Sequence, residues 1–198
     1  MKPYSESCEQ NCGPILGVLK RELGGKRRLL EIGSGTGQHA VYLAGEFPQL
    51  LWQTSEVPVM LPGIRAWLAE DTAPSNILPP VSLDVCHDPW PEKRYDAVFS
   101  ANTVHIISWP QVQCLFSGVG EALEADGVFC LYGPFNYNGL YTSESNERFD
   151  RWLKQRDPLS GIRDFEALNA LAEAAGLELR KDDEMPANNR ILTWLKAR

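Results

Sequence analysis

Acidic side chains stand at the ends of apolar runs in the first half of this chain. Glu31 closes the run LLEI, and Gly33, Gly35 and Gly37 follow it in EIGSGTG. Glu56 closes LWQTSE, and Asp84 follows VSL. A carboxylate accepts hydrogen bonds from sugar hydroxyls or from an exocyclic amine, and glycine lets a ligand approach the backbone closely. The glycine turn admits two readings. From Gly35, GTGQHA fits the dinucleotide fingerprint G-x-G-x-x-G/A. From Glu31, EIGSGTG fits the E/D-x-G-x-G-x-G pattern of an adenosylmethionine site. The turn alone leaves both open.

These acids can converge only if strands and helices alternate. The 3.6-residue apolar period predicts helices over 14–23, 38–47, 60–70, 110–123, 143–155 and 164–175. Short apolar runs predict strands over 29–32, 50–56, 81–84, 95–101, 127–133, 177–181 and 190–196. Such alternation makes a doubly wound parallel sheet. Residues 85–94, with Pro89 and Pro91 among them, leave little room for a crossover helix. The last two strands are joined by DDEMPANN, too short for a parallel crossover, so they should form an antiparallel hairpin. The fold expected is that of a class I methyltransferase: an α/β, Rossmann-like, seven-stranded, mostly parallel sheet with an antiparallel last strand. One domain is expected over 1–198, with a leading helix and possible lid in 1–25 and the core in 26–198.

In open α/β sheets ligands sit beyond the carboxyl ends of the strands. The first three strands then offer a cofactor set. It comprises Glu31, the turn Gly33, Ser34, Gly35 and Gly37, Glu56 with Val57, Asp84 with Val85, and Asn102 after the fourth strand. Glu56 suits the ribose hydroxyls and Asp84 the adenine amine, although an acid after a strand is also a common helix N-cap. Glu31 has no standard dinucleotide role, and 198 residues leave little for the second region a dehydrogenase needs. S-adenosyl-L-methionine is therefore the cofactor expected. The methyl group should point toward the fourth and fifth strand ends. His105, Tyr137 and Asn188 are the candidates for catalysis there, and Phe135, Asn138, Arg163 and Asn189 for binding the acceptor. His105 could act as a base because its ordinary pKa lies near neutrality, or serve as a structural histidine. The asparagines could equally supply turn geometry, and His39 reads as structural. Residues 4–14, with Glu9 and Asn11, could cover the site.

The net charge of −7 and the scattered basic residues argue against nucleic acid as partner. No apolar run approaches the ~18 residues that span a bilayer, so no membrane is expected. MKPYSESCEQN lacks the apolar stretch of a signal peptide. A cytoplasmic location is expected. The five cysteines, an odd number without zinc-ligand spacing, read as reduced thiols with no metal. The partner expected is a small, polar or flat molecule. Two other classes stay open, a nicotinamide-dependent oxidoreductase and a non-catalytic module that only binds the cofactor.

The sequence also resembles, end to end, an uncharacterised family of adenosylmethionine-dependent methyltransferase-like proteins that includes methyltransferase-like protein 26 and its bacterial relatives. The resemblance rests on GSGTGQHA, WQTSEV, LDV at 83–85, Tyr132-Gly133-Pro134-Phe135, Gly161-Ile162-Arg163-Asp164 and MPANN at 185–189. Thr54 and Glu56 depart from the W-Q-P-S-D usual in that family, and Gln10 from its E-R-N. The resemblance implies fold and cofactor, and no substrate.

Overall fold

Residues 2–92 and 94–198 are described in a computed structural model. In chain order they form α1 (Glu6–Glu22), β1 (Arg28–Ile32), α2 (Gln38–Ala44), β2 (Leu51–Glu56), α3 (Leu61–Leu68), β3 (Ile77–Ser82), β4 (Tyr95–Ala101), α4 (Trp109–Ala122), β5 (Leu123–Gly133), β6 (Phe135–Asn136), α5 (Glu144–Arg156), β7 (Arg163–Asp164), α6 (Phe165–Ala174), β8 (Leu177–Met185) and β9 (Asn189–Lys196). Seven strands make one sheet in the order β3-β2-β1-β4-β5-β9-β8. β1 to β5 run parallel, and β9 is antiparallel to both β5 and β8. The expected reversed hairpin is present. Beyond it, β6 and β7 pair as a separate ribbon that the sequence pattern did not foretell.

Apolar faces decide the layers. Along β5, Val128 and Cys130 face the helices α1 and α2, while Phe129 and Leu131 face α4 and α6. A parallel strand covered on both sides must be apolar on both sides, hence the continuous run VFCLY. On the α4 side Phe129 stacks on Trp194, and both meet Phe116 edge-on. On the other side Trp52 meets Phe99 edge-on.

Several expected boundaries move, among them the start of β5, at Leu123 rather than 127, and the end of α2, at Ala44 rather than 47. Helix α1 starts at Glu6, well before Pro14, because the Ser5 hydroxyl caps it by accepting from the Cys8 N–H at 3.4 Å. Pro14 stays inside the helix and leaves the Gln10 carbonyl without its usual donor. Strand β3 covers Ile77–Ser82 rather than 81–84, so Asp84 lies in the loop just beyond it. Pro79 and Pro80 are tolerated there because β3 is an edge strand. Strand β8 runs on to Met185.

As expected, no helix joins β3 to β4 among the described residues. The loop is fastened to α4 instead: a Cβ on Gly118 would lie 2.0 Å from the Trp90 indole. Cys86 in this loop is disulfide-bonded to Cys114 on α4, with Cα atoms 5.3 Å apart. This corrects the reading of all five cysteines as thiols; Cys8, Cys12 and Cys130 are the free ones. The two partners are 28 residues apart, and only the return of the chain along α4 brings them together. Among the described residues no helix is long and apolar enough to cross a membrane.

Candidate active site

The glycine turn between β1 and α2 is built from both sides. Gly33, Gly35 and Gly37 all have positive φ, at 70°, 54° and 90°. A side chain at Gly33 would strike Thr103 at 2.5 Å, and one at Gly37 would press on the α3 backbone at Ile64, 3.1 Å away. Gly35 differs: nothing lies within 4 Å of where its Cβ would be. Gly33 and Gly37 are therefore needed for packing, and Gly35 is the glycine whose backbone is open to a ligand.

The acids flank this turn. Glu31 is buried beneath it, and its Oε2 accepts from the Trp52 indole N–H and the Ser34 hydroxyl, each at 3.0 Å. Burial raises its carboxyl pKa to about 7. Ser34 also faces inward, accepting from the Ser55 N–H at 3.2 Å, so its side chain shapes the turn from below. Glu56 is half-buried; Oε2 accepts from the Gly35 N–H at 3.0 Å and Oε1 from the Val57 N–H at 2.7 Å. These bonds fix the carboxylate at the open side of the turn, with lone pairs left for further donors. Asp84 Oδ1 accepts from the Cys86 N–H at 3.0 Å and lies 3.1 Å from His87 Nδ1. That backbone bond, more than the histidine, holds its pKa below the usual carboxylate value. Val85 packs on the α4-side core.

A cleft of about 880 Å³ opens beyond the ends of β4 and β5, and of the expected cofactor set only Asn102 lines it among the described residues. Its floor includes Asn102 and His105 after β4 and Tyr132 and Pro134 at the end of β5. Ser7, Gln10, Asn11 and Pro14 of α1 form one wall, Asn146, Phe149 and Trp152 of α5 another, and Pro186, Ala187 and Asn189 close the hairpin side. His105 is 3 % exposed, and its Nδ1 has no hydrogen-bond partner among the described residues. Burial, with the Arg163 charge second, lowers its pKa to about 4, so the ring is neutral at neutral pH.

The turn carrying His105 is held by one short segment. Arg163 Nε donates to the Val104 carbonyl at 3.0 Å, the Gly161 N–H to His105 O at 2.9 Å, the Ser160 hydroxyl to Ile106 O at 2.6 Å, and Arg163 Nη2 to Ile107 O at 2.6 Å. Arg163, expected to orient an acceptor, is occupied by these carbonyls.

Other expected residues are also placed elsewhere. Phe135 is fully buried in the α4-side core instead of forming a cleft wall. The Tyr137 hydroxyl, expected near the methyl group, donates to Asp182 Oδ2 at 2.7 Å, and its ring stacks on Phe165. Asn138 is exposed and, with Gly139, takes the positive φ values of a tight turn between Tyr137 and Leu140, the turn reading of its type. Asn188 is exposed at the rim, where its amide donates to Ser145 Oγ at 3.3 Å. Asn189 does line the cleft, but its amide donates to the Pro186 carbonyl at 3.1 Å.

The cover was only partly anticipated. Gln38 binds the Ser5 backbone in both directions, accepting from its N–H and donating to its carbonyl. His39 Nε2 lies 2.7 Å from Asn11 Oδ1, and its Nδ1 3.6 Å from Cys8 Sγ. Since Asn11 Oδ1 can only accept, Nε2 carries the proton and Nδ1 accepts from the thiol. Cys8, His39 and Asn11 have the composition of a thiol nucleophile triad. Burial raises the thiol pKa and lowers the imidazole to about 4, the reverse of what activates a thiolate. The cluster is a latch that holds α1 over the turn. The QHA that follows the glycines was the available signal.

Strand order, reversed β9 and a glycine turn after β1 together define the class I methyltransferase fold. Solved structures of that class are similar over nearly the whole chain. An O-methyltransferase family protein from Burkholderia thailandensis matches with a TM-score of 0.84 at 11% identity, covering 97% of this chain and 58% of that one. Human N-acetylserotonin methyltransferase, in complex with SAM, gives 0.80 at 14%, covering 98% and 53%. An O-methyltransferase family 2 protein from Planctomyces limnophilus, in complex with apigenin, gives 0.81 at 19%, covering 94% and 56%. The chain thus spans a little over half the length of each. The family model DUF938, a protein family of unknown function, matches residues 2–196, and the chain belongs to that family.

Proposed function

We propose that this chain is an S-adenosylmethionine-dependent methyltransferase acting on a small molecule held in the cleft. The observation that carries the reading is the pairing of Gly35, open on its Cα side, with the Glu56 carboxylate fixed against its N–H. The residues fit the cofactor: Glu56 would take the ribose hydroxyls, Asp84 and the backbone at Val85 the adenine, and the turn above Glu31 the amino acid end. The SAM-bound human neighbour and the resemblance to the methyltransferase-like protein 26 group support the same reading. When bound, the cofactor supplies a methyl group on a positively charged sulfur. The chain's own contribution is to hold an acceptor beside it, exclude water with α1 and orient a donor group through the neutral His105, since positioning is much of such catalysis.

Calorimetric titration tests this. Adenosylmethionine and its demethylated product should bind, and nicotinamide dinucleotides should not. A charge-assisted hydrogen bond contributes about 1.5–3 kcal/mol, and each ~1.4 kcal/mol is tenfold. Glu56→Ala should therefore weaken binding by at least roughly tenfold. Tight dinucleotide binding without adenosylmethionine binding overturns the proposal.

A further inference from the structure

Helix α5 carries its basic residues in a repeating relation. Arg148 pairs with Glu144 at 3.8 Å, Arg151 with Glu147 at 2.8 Å and Lys154 with Asp150 at 2.6 Å, each with the acid four residues before it. Arg156 breaks the relation, because the residue four before it is Trp152. Its guanidinium lies 4.6 Å from the centre of the indole ring and makes no ion pair among the described residues. Both side chains line the cleft.

The stack continues inward. Trp152 lies on Phe149 with centroids 5.8 Å apart and planes 19° apart, and Phe149 meets His105 edge-on at 5.4 Å. Trp152 is 47% exposed and His105 3%, so this wall runs from the mouth of the cleft to its floor. A flat apolar wall with a cation at one end and a neutral imidazole at the other has a definite complement.

Resting on the methyltransferase reading, we infer that the acceptor is a planar aromatic carboxylic acid bearing a hydroxyl group. Its ring lies along Phe149 and Trp152, its carboxylate on Arg156 and its hydroxyl toward His105. Stacking on the indole holds the guanidinium in place, so less freedom is lost when it takes a carboxylate. A protein of net charge −7 does not attract anions at large, so the contact must be direct. Asp157 also lines this rim, with Oδ1 accepting from the Leu159 N–H at 2.9 Å. Its charge favours a singly charged carboxylate over a phosphate dianion.

Equilibrium binding to the whole chain tests the inference, with and without saturating S-adenosylhomocysteine. The probes are 4-hydroxybenzoate, 4-hydroxycinnamate, their primary amides, and 4-hydroxycyclohexanecarboxylate. At least one aromatic acid should bind roughly 10- to 100-fold more tightly than its own amide, the range of one charge-assisted bond. It should also bind more tightly than the cyclohexane acid. Arg156→Gln should abolish the preference for acid over amide, and Arg156→Lys should restore part of it. Trp152→Leu should weaken the aromatic acids more than the cyclohexane acid. Amides binding as well as acids, a preference that survives Arg156→Gln, or no binding by either aromatic acid at millimolar concentration overturns the inference. Failure of S-adenosylhomocysteine to bind counts against the methyltransferase reading instead, and the acid-to-amide ratio measured without it still decides the acceptor class.

Discussion

Replacing Arg163 with leucine should release the turn that carries His105. Two carbonyls of that turn, Val104 O and Ile107 O, receive guanidinium N–H groups at 3.0 and 2.6 Å. A third bond, to Leu159 O at 2.8 Å, joins an exposed residue that water can satisfy, so it counts for little. Hydrogen bonds to charged groups contribute about 1.5–3 kcal/mol each, and bonds sharing one side chain add incompletely. The expected loss is about 3 kcal/mol, which in a chain of this size lowers the melting temperature by roughly 6–12 °C. Urea unfolding measures the global part. Hydrogen exchange at Ile106 and Ile107, whose N–H groups donate to Thr103 O, measures the local part. Arg163→Lys, which keeps a charge but not the fork, should fall between leucine and wild type. An unchanged urea midpoint together with unchanged exchange in Arg163→Leu would refute the clamp.

Two further outcomes concern Glu31 and the disulfide. The raised pKa of Glu31, from 4.5 to about 7, means that the folded state binds more protons between those values. Stability should therefore fall as pH rises through that window, by roughly 3 kcal/mol in total, and level off above it. Glu31→Gln, whose amide oxygen can still accept from Trp52 and Ser34, should flatten that slope in melting scans from about pH 5 to 8; an equal slope in both proteins would contradict it. Reducing Cys86–Cys114, which closes a separation of 28 residues, should cost up to about 3.5 kcal/mol and speed exchange in the 83–92 loop. Identical unfolding with and without reductant would show that the link carries no stability.

Legibility in the sequence followed the range of the interaction. The glycine turn, the acids at the ends of β1 and β2, and the antiparallel hairpin depend on neighbouring residues and could be read directly. The latch was half legible, since Gln38 and His39 lie inside the glycine motif while their partners Ser5 and Asn11 lie 33 and 28 residues away. The α5 wall was not legible. Phe149, Trp152 and Arg156 look like one face of an amphipathic helix, and only the return of α5 across the strand ends makes that face a cleft wall. Counting from the end of β5 gives the positions of Phe135 and Tyr137 but not the direction of their side chains. β6 pairs with β7 there, Phe135 is taken into the core, and the Tyr137 hydroxyl is left facing Asp182 on β8.

One run of eight residues, GSGTGQHA, has two tasks that constrain each other. Gly35 leaves open space on its Cα side, and Gln38 and His39 hold α1 close enough to form a wall of the cleft. The N-terminal stretch is tied down further along: the Trp67 indole donates to the Pro3 carbonyl at 2.7 Å, and the Lys2 ammonium lies 3.5 Å from the centre of that ring. The cover therefore rests on α2 and α3, the two helices that frame the glycine turn. Gln38 and His39 thus tie the turn to α1 by hydrogen bonds rather than by loose surface contact. His39 adds a pH limit with a definite sign. Its pKa is depressed from 6.5 to about 4, so the latch is intact at neutral pH and is weakened as pH falls toward 4 and Nδ1 takes up a proton in place of the Cys8 thiol.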